Sequence, residues 1–191
     1  MVSSLLPVTV LVPILQASGV DKIAQEAPLY AMGLSFSSLI LKIPQQYWLR
    51  TKKDFLSLNF SPSALASYIY TATLKILPFQ LLIIGGVALV SSFALSVAGL
   101  EGYHGLETVF VQFSPYILLT SAAIPLQLYF SRERSSRHFA RTQFISCLVS
   151  ICAMQLSSCY GSIFFLCIGL ALFPGVQVVI LGFYLMNVRD A

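Results

Sequence analysis

The chain has 191 residues and a formal net charge of +4, with 57% of its residues hydrophobic and only 9% charged; its mean hydropathy is +0.84. Soluble domains devote roughly a quarter of their residues to charge, and 11 basic plus 7 acidic side chains cannot cover the surface of so apolar a chain, which excludes a soluble enzyme with a large core. The apolar runs are continuous and not alternating, which excludes a transmembrane β-barrel, and the modest positive charge, held in short loops, is not a nucleic-acid footprint.

Uncharged runs cover 1–20, 27–41, 55–74, 76–100, 108–131 and 142–188. A helix needs about 20 mostly apolar residues to cross a bilayer, so the pattern predicts an all-α polytopic membrane protein with six to seven transmembrane helices in a single transmembrane domain. Residues 1–27 read as an N-terminal helix and turn. No Lys or Arg precedes the first apolar stretch, which argues against a signal peptide or cleaved presequence. Pro7 and Pro13 make that helix short, tilted or re-entrant. Asp21, Lys22 and Glu26 form a polar turn.

Helix two is expected over Pro28–Gln46, followed by a basic loop at Arg50–Asp54. Helix three is expected over Leu56–Leu74, a tight connection at Lys75 and Pro78, and helix four over Phe79–Ala98. Gly85 and Gly86 there suit the close approach of a neighbour. The Gly-rich loop GLEGYHGLE precedes helix five, Thr108–Phe130. The second basic loop is SRERSSRHFAR, and the 47 residues after it are divided into helices six and seven by a turn at Ser157–Ser162. Tyr30, Tyr47, Trp48, Tyr103, Tyr129, Tyr160 and Tyr184 fall near expected helix ends, as an aromatic belt does.

Ile43-Pro44-Gln45-Gln46-Tyr47-Trp48 aligns with Ile124-Pro125-Leu126-Gln127-Leu128-Tyr129. Each copy closes an apolar segment and enters a basic loop, which divides the chain into two three-helix units, 28–99 and 107–188. The first copy, MGLSFSSLILKIPQQYWLRTKKDFLSLNF, resembles the PQ-loop family of membrane proteins, and KILPFQ further on is similar to a short turn of its mannose-phosphate-dolichol utilisation members; the SWEET sugar carriers belong to the wider clan. The resemblance implies a carrier or utilisation factor for a small polar or lipid-linked solute. It makes Pro44, Gln45, Pro125 and Gln127 candidate hinge and solute-binding residues.

The chemistry of the motif is independent of the family. Proline leaves the carbonyl one turn earlier without a donor and bends the helix, and a nearby amide can satisfy the freed groups or a solute. Equally, Pro-Gln can be the place where a helix stops at the interface, with Trp48, Arg50, Lys52 and Lys53, and Arg132, Arg134 and Arg137 of the second loop, as interfacial anchors. Gln177, beside Pro174 and Gly175, is a further solute-binding candidate; Gln80, Gln112 and Gln155 read more simply as interhelical glue.

The sequence departs from the family. The second motif has Leu126 between its proline and glutamine. No carboxylate lies in a span from helix three onward, although proton-coupled carriers usually bury one. Three spans separate the basic loops, so the two units are expected to be inverted, with their basic loops on opposite sides.

The cysteines, Cys147, Cys152, Cys159 and Cys167, form no metal-ligand pattern and read as small packing residues. His104 reads as a solvated interfacial side chain, and His138, among arginines, as one facing lipid phosphates or acidic partners. No catalytic motif is present, so no enzyme, metal or cofactor is expected. The partners expected are membrane lipids and either a second copy or a larger membrane complex, not nucleic acid. The location expected is an intracellular organelle membrane: ER, Golgi, or the inner membrane of a mitochondrion or plastid. The alternative function is a non-catalytic structural subunit of a large respiratory or photosynthetic complex.

Overall fold

The computed structural model describes residues 21–57, 62–97, 105–131, 136–160 and 163–187, and all of these except Gly105, Phe113 and Ser131 are helical. The helices are α1 (Asp21–Ser57), α2 (Pro62–Val97), α3 (Leu106–Gln112), α4 (Ser114–Phe130), α5 (Ser136–Tyr160) and α6 (Ile163–Asn187). The expected span within 1–20 and residues 99–104 of the Gly-rich loop, His104 included, lie outside the described residues, while Leu106 and Glu107 at the end of that loop begin α3. Among the described residues, four segments are long and apolar enough to cross a membrane: Ala64–Val90, Leu106–Phe130, Arg137–Leu156 and Leu166–Asn187. The chain is thus an all-helical protein with the spans of a membrane protein, but with fewer of them than six to seven in this part of it.

Three segments expected to interrupt helices are themselves helical. Helices three and four are one 36-residue helix, α2, that passes through Pro78. Interrupting a helix in an apolar medium strands a full turn of backbone groups, whereas one proline removes a single hydrogen bond, so continuation costs less. Likewise α1 is a 37-residue helix that includes both the expected polar turn at Asp21–Glu26 and the basic loop Arg50–Asp54. No Gly or Pro follows Pro44 before Pro62, which occupies the first position of α2, where its missing N–H costs nothing. At 1.5 Å per residue α1 and α2 are each about 55 Å long, so both extend beyond a hydrocarbon layer of about 30 Å.

The α3–α4 junction is a true irregularity. Pro115 cannot donate, and the Phe113 N–H is shared between the carbonyls of Val109 (3.2 Å) and Phe110 (3.1 Å). Phe113 is fully buried and packs against Tyr30 at 5.1 Å between ring centroids. Gly33 permits this approach, since a Cβ there would lie 2.9 Å from Phe113 Cε2.

At the other end of α1, Trp48 meets Tyr68 at 6.3 Å in a core cluster with Leu65, Phe130, Leu181 and Leu185. Consequently α1, α4 and α6 run in one direction and α2 and α5 in the other. The two I-P-x-Q stretches lie on parallel helices, and Pro44 and Pro125 stand about 21 and 18 Å beyond the Tyr30–Phe113 contact, at nearly one height.

This arrangement overturns the expected inversion. With α2 unbroken, the chain crosses twice, and not three times, between the basic segments, so Arg50 on α1 and Arg137 and Arg141 on α5 share one end. That end is the basic end of the bundle.

Several hydroxyls within the helices are satisfied by their own helix. Ser37 Oγ donates to the Gly33 carbonyl at 2.7 Å, and Ser146 Oγ to the Thr142 carbonyl at 2.7 Å. On α5 the buried positions Thr142, Ser146, Ser150 and Met154 recur every fourth residue, forming a narrow face against α6. Ser150 Oγ crosses to the Gly169 carbonyl at 2.8 Å. A Cβ on Gly169 would sit 2.8 Å from Met154 Cγ and 3.1 Å from its backbone nitrogen.

Gly169→Val is therefore expected to destabilise the fold by about 2 kcal/mol, read as earlier thermal unfolding in detergent. Gly182→Val, with nothing within 4 Å of its Cβ, is expected to be neutral. In sealed vesicles of a cysteine-free variant, Arg50→Cys and Arg141→Cys should react with an impermeant maleimide from the same side; labelling from opposite sides would reject the arrangement.

Candidate functional site: a buried amide chain

The interior of the α4–α5–α6 group holds three glutamines in series. Gln127 Nε2 donates to Gln177 Oε1, and Gln177 Nε2 donates to Gln143 Oε1 at 2.9 Å. Gln177 is completely buried. Each glutamine comes from a different helix, so the chain of amides ties the three together at a level roughly one to two turns inside the basic end. An amide is uncharged and supplies both donors and an acceptor, so the group can recognise hydroxyl, carbonyl or phosphate oxygens, but takes up no proton.

Prolines surround this chain. Pro125 lies in α4 and Pro174 in α6, and both are buried, as is Pro44 in α1. Each deprives the carbonyl four residues earlier of its usual donor: those of Ile40, Ser121 and Leu170, all on buried residues. The carbonyl released by Pro78 is that of Leu74, on the outer face. Three of these four acceptors therefore belong to residues inside the bundle.

Farther toward the opposite end, four polar side-chain atoms are buried without a hydrogen-bond partner: Tyr30 Oη, Gln80 Nε2, Gln112 Oε1 and Thr120 Oγ1. Gln80 is 2% exposed. Leaving such an atom unsatisfied costs about 1–3 kcal/mol, so these groups are sites of unmet hydrogen-bonding capacity within an apolar interior.

Of the residues singled out from sequence, Gln127 and Gln177 are brought into direct contact. Pro44 and Pro125 are buried at nearly one height, while Gln45 is half-buried and takes no part in the amide chain. Trp48, expected at the interface, is 1% exposed and belongs to the core; it sits where α1, α2 and α4 converge and its indole has neighbours on each. Arg50 and Arg137 are exposed at the basic end. Arg132 and Arg134, and the side chains of Lys52 and Lys53, lie outside the described residues. Gln143 was not anticipated. Its signal was present: it is an amide one residue inside the last uncharged run, beside the second basic loop. Gln155, by contrast, is exposed.

Of the cysteines whose side chains are described, all free thiols, Cys167 packs in the core, Cys147 is half-buried and Cys152 is exposed. Among the described residues no group of three His, Cys, Asp or Glu side chains could hold a metal ion. Comparison of the chain with protein families, with curated proteins and with solved structures finds no match in any of the three.

Gln177→Leu should be the most damaging change in the amide chain, because it strands Gln127 Nε2 and Gln143 Oε1 together. The expected loss is about 2–4 kcal/mol. Gln143→Leu or Gln127→Leu strands only one group on Gln177 and should cost about half as much, as measured by thermal unfolding in a mild detergent.

Proposed function

We propose that this chain is a multi-pass membrane protein of PQ-loop type that handles a small polar or lipid-linked solute, as a carrier or utilisation factor, in an intracellular organelle membrane. One observation carries the reading: Gln127 of the second I-P-x-Q stretch is bonded to the fully buried Gln177 of another proline-bearing helix. The first I-P-x-Q stretch stands on a parallel helix at nearly the same height. The two units are then α1–α2 and α3–α6, unequal in helix count because Pro78 does not divide α2.

Pro44, Gln45, Pro125, Gln127 and Gln177 have the hinge and solute-binding roles in this reading. The carbonyls of Ile40, Ser121 and Leu170, and the unpartnered atoms of Gln80 and Thr120, are further places where a polar solute could be held between the two ends.

A second reading, a non-catalytic subunit of a large organellar complex, is favoured by α2. Leu82, Leu89 and Phe93 are 72%, 79% and 74% exposed, and most of the α2 surface is free to meet either lipid or other subunits.

The deciding measurement is the native mass after extraction from the protein's own membrane in a mild detergent, with mass spectrometry of the particle. One or two copies of the 20.9 kDa chain, with a co-purifying small molecule that is lost in Gln177→Leu and kept in Gln155→Leu, is the outcome expected. Co-migration with an assembly many times that mass, without such a molecule, would reject the free carrier in favour of the subunit.

A further inference from the structure

The apolar core of the bundle is not continuous. On α2, Ile84 belongs to one hydrophobic cluster and Ile76 to another; on α4, Ile117 belongs to the first and Ile124 to the second. Between the clusters stand polar residues: Gln80, one turn from Ile76 and from Ile84 on the buried face of α2, and Thr120 and Ser121 on α4. Because the two helices are antiparallel, this order sets Gln80 level with Thr120 and Ser121. Both positions fall near the middle of their spans, Ala64–Val90 and Leu106–Phe130.

Hydrogen-bonding groups in this layer are left open. Gln80 is 2% exposed, yet its Nε2 is buried without an acceptor, and Thr120 Oγ1 is buried without a partner as well. The Tyr116 hydroxyl, one turn before, comes near Thr120 Oγ1 but closes no hydrogen bond with it. Pro125 adds the Ser121 carbonyl, which lacks its usual donor. No charge serves the layer: α4 and α6 contain no charged residue, and Lys75, the one charged residue of α2, is exposed.

We propose that the layer between Gln80 of α2 and Thr120–Ser121 of α4 is a binding site for an uncharged hydroxyl group. A hydroxyl accepts from Gln80 Nε2 and donates to Thr120 Oγ1 or to the Ser121 carbonyl, so one small group answers a donor and an acceptor on facing helices. A carboxylate or an ammonium would enter without a counter-charge, at a cost the layer does not offset. The isoleucines above and below confine the polar contacts to one level, which suits a single hydroxyl better than a large polar surface. The hydroxyl has two sources, a buried water or a solute; only the second rests on the carrier reading, since water would fill the site in a structural subunit as well.

The test uses the cysteine-free chain in phospholipid vesicles, with Gln80→Cys, Thr120→Cys, Ile76→Cys and Ile84→Cys made singly and treated with methyl methanethiosulfonate, a small uncharged reagent. A thiol reacts as its thiolate, which forms only where a hydrogen-bonding group solvates it. Labelling at Gln80→Cys and Thr120→Cys is therefore expected to be about tenfold or more faster than at the two isoleucine positions. The rates are then measured again with glycerol and with betaine at equal osmolality. Slowing by glycerol alone identifies the occupant as the hydroxyl of a solute; equal rates in both identify it as water.

Labelling at Gln80→Cys and Thr120→Cys no faster than at Ile76→Cys and Ile84→Cys would overturn the proposal. Thermal unfolding of Gln80→Leu/Thr120→Val in a mild detergent gives a second, independent reading. An empty layer is relieved by losing its unpartnered groups, whereas an occupied one loses the bonds that its ligand makes. The double variant is therefore expected to melt several degrees below the parent protein, and melting at or above it would overturn the proposal too. The native mass decides the carrier reading separately: a large assembly that still labels fast at these positions rejects the carrier and keeps the site, with water in it.

Discussion

In an apolar medium a backbone N–H or C=O without a partner has no water to turn to, and each such group costs several kcal/mol. That constraint shapes most of what is seen here. It carries α1 through Pro44 and α2 through Pro78 without interruption, because ending a helix would expose more groups than the proline does. It also turns the hydroxyls of Ser37 and Ser146 back onto their own helices. Polar side chains that are too long to turn back meet each other, as Gln127, Gln177 and Gln143 do.

From the continuity of α2 follows the topology. Only because Pro78 does not divide the helix do α1 and α4 run parallel and the basic residues Arg50, Arg137 and Arg141 collect at one end. The same parallelism sets Pro44 and Pro125 at nearly one height, giving the short sequence repeat a spatial counterpart.

The class of the fold was legible in composition, because a chain so poor in charge can solvate its surface only in lipid. Helix ends were less so. Charge at Arg50–Asp54 was read as a loop, but a basic run without Gly or Pro is a sound helix and simply projects beyond the hydrocarbon. Pro78 was read as a stop by the rule for soluble helices, where water accepts the freed carbonyl; here the carbonyl freed is that of the outward-facing Leu74. For the site, Gln127 and Gln177 could be picked out as amides near prolines. Their contact could not, since it depends on how α4 and α6 cross, and the depth of Gln143 in the bundle does not show in a sequence position beside a basic loop. Trp48 shows the converse error: an aromatic beside a basic run looks interfacial, yet the convergence of α1, α2 and α4 encloses it.

The amide chain also divides the bundle mechanically. Gln177 uses its acceptor on α4 and a donor on α5, so those two helices and α6 are held as one body, reinforced where Ser150 meets Gly169. The contacts described between α1 and that body are of another kind: aromatic and aliphatic surfaces around Gly33, Phe113 and Trp48. Apolar contacts can slide at small cost, whereas separating the glutamines strands buried amides. Under the solute-handling reading, any opening of the interior therefore falls between α1–α2 and the three helices joined by the amides, and the proline-freed carbonyls of Ile40 and Ser121 stand on the two sides of that boundary.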